Sequence, residues 1–258
     1  MLVAAVLAGC TVDPGVGGAT GPAVTQPVPV SSSTSMSTST DEPGVAPSGS
    51  TTSTPRGSAS PTVTAPAGSA LAALRRLAVK GRAPMTGYSR TEFGPAWADV
   101  DRNGCDTRND ILRRDLRDVV LVPGTHGCRV RSGGLVDPYT GTTVDFVRGV
   151  GTSLAVQIDH LVALGDAWQK GAQSLTLEQR TAMANDPLDL LAVTGSVNQR
   201  KGDGDAATWL PPLRDSRCAY VARQVAVKSA YHLWVTAAEH DAIARVLATC
   251  PSQPLPTR

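Results

Sequence analysis

The chain has 258 residues. Ser, Thr, Pro, Gly, Ala and Val dominate before residue 70, whereas all four Trp, all four Tyr and both Phe follow residue 86. A stretch so poor in large apolar side chains cannot bury enough surface to offset the entropy of ordering it, so residues 11–79 read as a disordered tether and 80–252 as one domain. The formal net charge is +2, but the segment before residue 70 holds Asp13, Asp41, Glu42 and Arg56, which leaves 23 basic and 19 acidic residues, or +4, on the rest. That mild basicity suits a polyanion partner and a solvated surface equally, and it argues against tight non-specific binding of nucleic acid at high salt.

The N-terminus reads MLVAAVLAG followed by Cys10. This apolar stretch is too short to span a membrane. The run Leu7-Ala8-Gly9-Cys10 resembles a bacterial lipobox, so residues 1–10 are expected to be a partial lipoprotein signal peptide with the lipid on Cys10. The positive n-region is missing, which places the expected true start upstream. The alternative is a stray apolar terminus with a chance cysteine. Attachment to a membrane would then run through the lipid alone, on the cell surface, or the protein would be secreted. Cys105, Cys128, Cys218 and Cys250 form an even set with no CxxC pair, which disfavours structural zinc and fits disulfides in an oxidising compartment. Four cysteines allow three pairings. Cys105–Cys128 with Cys218–Cys250 is expected, because each closes a local loop.

Along the domain, residues 69–79 have helical spacing and read as a short lead-in helix. The segment ILRRDLRDVVLV begins as a helix and ends as a strand. A strand is expected around Val130, a turn at Asp137-Pro138-Tyr139-Thr140-Gly141, and a strand over 142–147. Residues 154–158 read as a strand delivering Asp159 and His160 to its end, and 161–170 as a helix. Thr176-Leu177-Glu178-Gln179 has the capping-box pattern, so a helix should run from there to about Ala184. Leu190 to Val193 reads as a strand, followed by a helix carrying Asn198 and Lys201 and capped by Thr194 or Ser196. Two longer helices are expected from Cys218 to about Trp234 and from Thr236 to Thr249. The class is α+β.

An Asp-His pair alone is most often structural. Here it has companions in a fixed order: NGCDTRNDIL (103–112), DPYTG (137–141), QIDHLVALGDAW (157–168), ANDPLDLLAV (184–193) and NQRKGDGDAATWLPP (198–212). Together these resemble the HNH endonuclease superfamily over roughly residues 84–250. The match is to a secreted actinobacterial branch similar to the C-terminal domain of modification-dependent restriction enzymes. The resemblance implies a ββα-metal core near 153–205 with extra strands and helices around it. It implies hydrolysis of phosphodiester bonds in nucleic acid, DNA foremost, by a monomer. An imidazole titrates near neutral pH, which suits His160 as general base. Asp159 is a hard oxygen ligand for Mg²⁺, with Mn²⁺ as the alternative, and Asn198 matches the third family position that completes the metal site. Lys201, one helical turn later, is expected to hold a phosphate or else to stand as a solvated charge, and Arg108 to reach a phosphate or else to join a structural network with Asp106 or Asp110. Asp189 stands where the family usually has Asn. It is expected to support the loop by accepting hydrogen bonds, with Asn185 as the substitute for ordering His160. Trp168 and Trp209 are expected in the core.

Two other readings stand beside the nuclease. The first is a calcium-binding module, because Asp99, Asp101 and Asn103 match the start of an EF-hand loop with Asp110 at its twelfth position. The second is a non-catalytic surface lipoprotein that keeps the nuclease fold and binds a polymer or partner.

Overall fold

In the computed structural model the described residues are 64–257. Cys10, the expected signal peptide and the tether up to residue 63 lie outside them. Order begins earlier than the expected boundary at residue 80. The Ser69 hydroxyl accepts the Ala72 N–H at 3.2 Å and caps α1 (Ala70–Leu74), whose Ala70, Leu71, Ala73 and Leu74 are buried. The helical spacing of 69–79 marks this lead-in helix, whereas composition averaged over 11–79 does not.

The elements then follow the expected order. Asp106 caps α2 (Thr107–Asp115) by accepting the Asn109 N–H at 2.8 Å. Next come β1 (Arg117–Leu121), β2 (Val130–Val136) and β3 (Thr143–Val147), an antiparallel sheet in the order β1-β2-β3. Asn109 joins helix to sheet: its side-chain oxygen accepts the Val130 N–H at 3.0 Å and an Arg148 guanidinium at 2.6 Å. β4 (Val156–His160) leads into α3 (Leu164–Gln169) and then α4 (Leu177–Ala184), where Thr176 and Gln179 form the expected capping box. β5 (Leu190–Thr194) pairs antiparallel with β4, Asp159 opposite Leu191 and His160 opposite Leu190. α5 (Gly195–Lys201) follows and packs on both strands, which completes a ββα unit. α6 (Arg217–Ala230) and α7 (Ala237–Ala248) close the domain and pack with α1. The fold is α+β, and no helix among the described residues is long and apolar enough to cross a membrane.

The ββα unit stands where three apolar clusters meet. Strand alternation sends Val156, Ile158, Leu190 and Ala192 toward the three-stranded sheet and α2. Leu191, Val193 and Val197 face the cluster of α1, α6 and α7. Val162 and Leu164, just past the strand, join Phe93, Trp168 and Met183. Burial on three sides gives the end of β4 a rigid seat. Trp168 packs in this core, and Trp209 meets Tyr139 and Tyr220 edge-on.

Both expected disulfides are present. Cys105–Cys128 ties the segment before α2 to the segment before β2, and Cys218–Cys250 ties α6 to the chain just past α7. Behind the ββα unit lies a charge cluster with no sequence signature. Lys170, fully buried, pairs with Asp166 at 2.6 Å, Asp205 at 2.8 Å and Glu239 at 2.6 Å. Lys228 reaches Asp166 and Glu239, and Arg82 reaches Asp166 and Asp205. Three cations thus meet three carboxylates. Buried charges persist only when paired in this way.

Candidate active site

Strand and helix periods decide which side chains meet. Gln157 and Asp159 are two apart on β4 and share a face. Asn198 and Lys201 are three apart on α5 and share another. The two faces oppose each other. The Asn198 amide donates to Gln157 Oε1 at 2.9 Å, and Lys201 Nζ donates to Asp159 Oδ1 at 2.9 Å. Lys201 Nζ also donates to the His160 carbonyl at 2.7 Å. The second carboxylate oxygen of Asp159 accepts the Tyr139 hydroxyl at 2.5 Å. Tyr139 is delivered by the DPYTG turn, in which Asp137 accepts the Tyr139 N–H at 2.9 Å and Gly141 takes a φ of 76°. Burial pushes the Asp159 carboxyl above its usual range, against the pull of Lys201 and the Tyr139 bond. The same burial, with the Asp159 charge, drives the Tyr139 hydroxyl well upward.

His160 lies on the other side of the strand end. Its ring stacks on Trp97, with centroids 6.1 Å apart and planes 19° from parallel. Nε2 is 2.9 Å from the Ala184 carbonyl. A carbonyl only accepts, so Nε2 carries the hydrogen, and in the neutral ring Nδ1 keeps the lone pair. Burial lowers the pKa of His160 to about 4, helped by the charges of Arg90 and Lys201 and opposed by the Ala184 bond. The imidazole is therefore neutral at physiological pH.

Asp189 reaches the loop after His160. It is fully buried; Oδ1 accepts the Val162 N–H at 2.8 Å, and Oδ2 has no partner. Burial raises its carboxyl to about 8. At neutral pH it holds its proton and matches the shape and neutrality of Asn. The unfolded chain would lose that proton near pH 4. Between about pH 4 and 8 the folded state alone carries the proton, so this group makes stability fall as pH rises and leaves it level above 8. The slope is about 1.4 kcal/mol per pH unit. Asp189→Asn should therefore match wild type near pH 4 and be the more stable at pH 8. Urea unfolding of both proteins at the two pH values checks this; a difference between them that does not change with pH would contradict it.

The remaining expected residues fall elsewhere. Lys201 is fully buried at its side chain, with its ammonium bonded to Asp159 and the His160 carbonyl, so the expectation that it meets a phosphate does not match its placement. Arg108 donates to the Val156 carbonyl at 3.1 Å and the Ser153 carbonyl at 3.5 Å, a tie to the approach of β4 rather than an arm toward substrate. Among the described residues no hydrogen bond or ion pair joins Arg108 to Asp106 or Asp110, although the Asp106 charge acts on its guanidinium. Asn185 donates to Thr181 and does not bond His160, whose Nε2 the Ala184 carbonyl takes instead. In the acidic segment Asp99 accepts the Asn103 and Gly104 N–H groups in a turn, and Asp110 lies inside α2; the nearest element before Asp99 is the 3-10 turn Arg90–Phe93, which is not the entering helix of an EF-hand.

A polar cleft of about 180 Å³ is lined by Asp159, His160, Asn198, Asp203 and Arg90, among others. A second, smaller and more apolar cavity, lined by Trp97, Phe93 and Asn185, shares Arg90, His160 and Leu164 with it. Tyr139, Arg90, Trp97 and the Ala184 carbonyl are site groups that sequence reasoning did not single out. For Tyr139 there was a signal, its place inside DPYTG.

Residues 106–246 match the family model described as GmrSD restriction endonucleases, C-terminal domain. The chain is 41% identical over 186 residues to an uncharacterized secreted protein of Arthroderma benhamiae, an alignment that covers 71% of this chain and 86% of that relative. No solved structure matches the chain.

Proposed function

We propose, from the premise that the chain belongs to the family of C-terminal domains of GmrSD restriction endonucleases, that it is an HNH-type, metal-dependent endonuclease acting on nucleic acid, DNA foremost, outside the cytoplasm. The observation that carries this reading is a neutral His160 of fixed tautomer in the same cleft as the oxygen donors Asp159 and Asn198. Both disulfides and the name of the secreted relative support the compartment.

His160 Nδ1 accepts a proton from the water that attacks phosphorus, the new O–P bond forms, and the bond to the 3′ oxygen breaks. The Ala184 carbonyl holds the ring through Nε2–H during the transfer and stabilises the imidazolium that results. The phosphate's negative charge raises the His160 pKa from its value in the free protein, which improves it as a base. Tyr139 and Lys201 hold Asp159 against rotation. The donors are hard oxygens: the carboxylates of Asp159 and Asp203 and the amide of Asn198. Among the described residues no group of three His, Cys, Asp or Glu forms a metal cage. That small set suits Mg²⁺ or Mn²⁺, which keep waters and substrate oxygens in their shell. Asp159 and Asn198 would hold the ion, with Asp203 on the same wall. When bound, such an ion supplies Lewis acidity to the phosphate and the leaving oxygen.

Plasmid nicking should stop in EDTA and return with excess Mg²⁺ or Mn²⁺. Nicking that persists in EDTA would reject metal dependence. If plasmid is bound yet left uncut under every metal, the protein is the non-catalytic polymer binder.

A further inference from the structure

A phosphodiester entering this cleft needs a cation for its non-bridging oxygens. The basic side chains around the site are mostly committed to the protein itself. Lys201 is spent on Asp159, Arg108 on the Ser153 and Val156 carbonyls, and Arg223 on the carbonyls of Pro187, Leu188 and Leu190. Arg90 differs. It is exposed, it lines both cavities that flank His160, and among the described residues no carboxylate pairs with it.

The backbone that carries Arg90 is held firmly. It opens the 3-10 turn Arg90–Phe93, whose Phe93 is buried, and the Glu92 carbonyl accepts Arg180 Nε at 2.5 Å. Gly94 follows at a φ of 77°, so close to α4 that an added Cβ would stand 2.2 Å from the Thr181 hydroxyl oxygen. The fixed backbone sets where the side chain starts, and the planar fork of guanidinium donors matches the oxygens of a phosphate.

We propose that Arg90 is a substrate-binding residue that grips a phosphate of the nucleic-acid strand beside His160. This rests on the nuclease reading. The test uses the full chain with plasmid DNA and a fluorescein-labelled DNA duplex. Arg90→Ala should lose about tenfold to a hundredfold in kcat/KM, lower the slope of log affinity against log salt by about one, and keep its melting temperature. Arg90→Lys should recover part of the loss, since an ammonium keeps the charge without the fork. Arg245→Ala, an exposed arginine lining a separate cavity, should behave as wild type. Wild-type cleavage with an unchanged Arg90→Ala in both kcat/KM and salt slope would overturn the assignment and leave the nuclease reading standing. A loss that tracks a lowered melting temperature would overturn it too, by making Arg90 structural. A wild type that neither binds nor cuts nucleic acid under any metal would overturn the nuclease reading, and this assignment with it.

Discussion

Replacing His160 by alanine should lower turnover about 10²–10⁴-fold in a protein that still folds. The size follows from the role: a positioned base is removed and nothing nearby takes its place. Asn185 lies in the adjoining cavity but is bonded to Thr181, and an amide is not a base. The pH dependence gives an independent check. In the free protein His160 protonates only near pH 4, so kcat/KM should fall as pH drops through about 4. The unfolded chain protonates the same ring near 6.5. Between about 6.5 and 4 the unfolded state carries a proton that the folded state does not, so this group makes stability fall as pH falls through that window. His160→Ala should lose that dependence. Turnover, thermal stability and the stability profile of the two proteins can be measured together. A folded His160→Ala with near-wild-type turnover would refute the mechanism.

Lys201→Met should destabilise the domain by about 3–5 kcal/mol, because it leaves the Asp159 carboxylate buried with no compensating charge. Asp159 is 4% exposed and Lys201 3%, so little water can reach the carboxylate in place of the missing partner. Tyr139 would still donate its hydroxyl, which limits the loss without supplying charge. The double variant Asp159→Asn/Lys201→Met should recover much of the stability, since no buried charge is then left over. Denaturant unfolding of the two single variants and the double variant gives the coupling directly. A phosphate-holding Lys201 would behave in the opposite way, with a raised KM and unchanged stability. That outcome in Lys201→Met would show that the ion pair does not hold the site together.

The contrast between Lys201 and Arg90 shows how legible the site was. Asn198 and Lys201 are visible in the sequence as one helical face, and Asp159-His160 as the end of a strand. The structure brings those elements together as expected. The spacing of Lys201 does not say what lies opposite it. Asp159 does, and two charges that meet out of water neutralise each other before any substrate arrives. Arg90 stands about 70 residues before His160 in an unremarkable Tyr-Ser-Arg run, and only the packing of Phe93 and Gly94 against α4 brings it to the cleft. The Ala184 carbonyl is harder still, because every residue has one and no side chain marks it.

The sequence by itself determined what depends on neighbours along the chain. The capping box at Thr176, the DPYTG turn, the alternation of β4 and β5 and the helical stripes of α6 and α7 are all local consequences of side-chain shape and hydrogen bonding. The local pairing of the four cysteines was also within its reach. Tertiary structure alone decided the tautomer of His160, the neutral state of Asp189, the withdrawal of Lys201 into an ion pair, and the merging of α1 into the core. Each of these turns on burial and on the partner across a gap. The energy of a charge or a polar atom is set by what surrounds it in space, and residues far apart in the chain supply those surroundings.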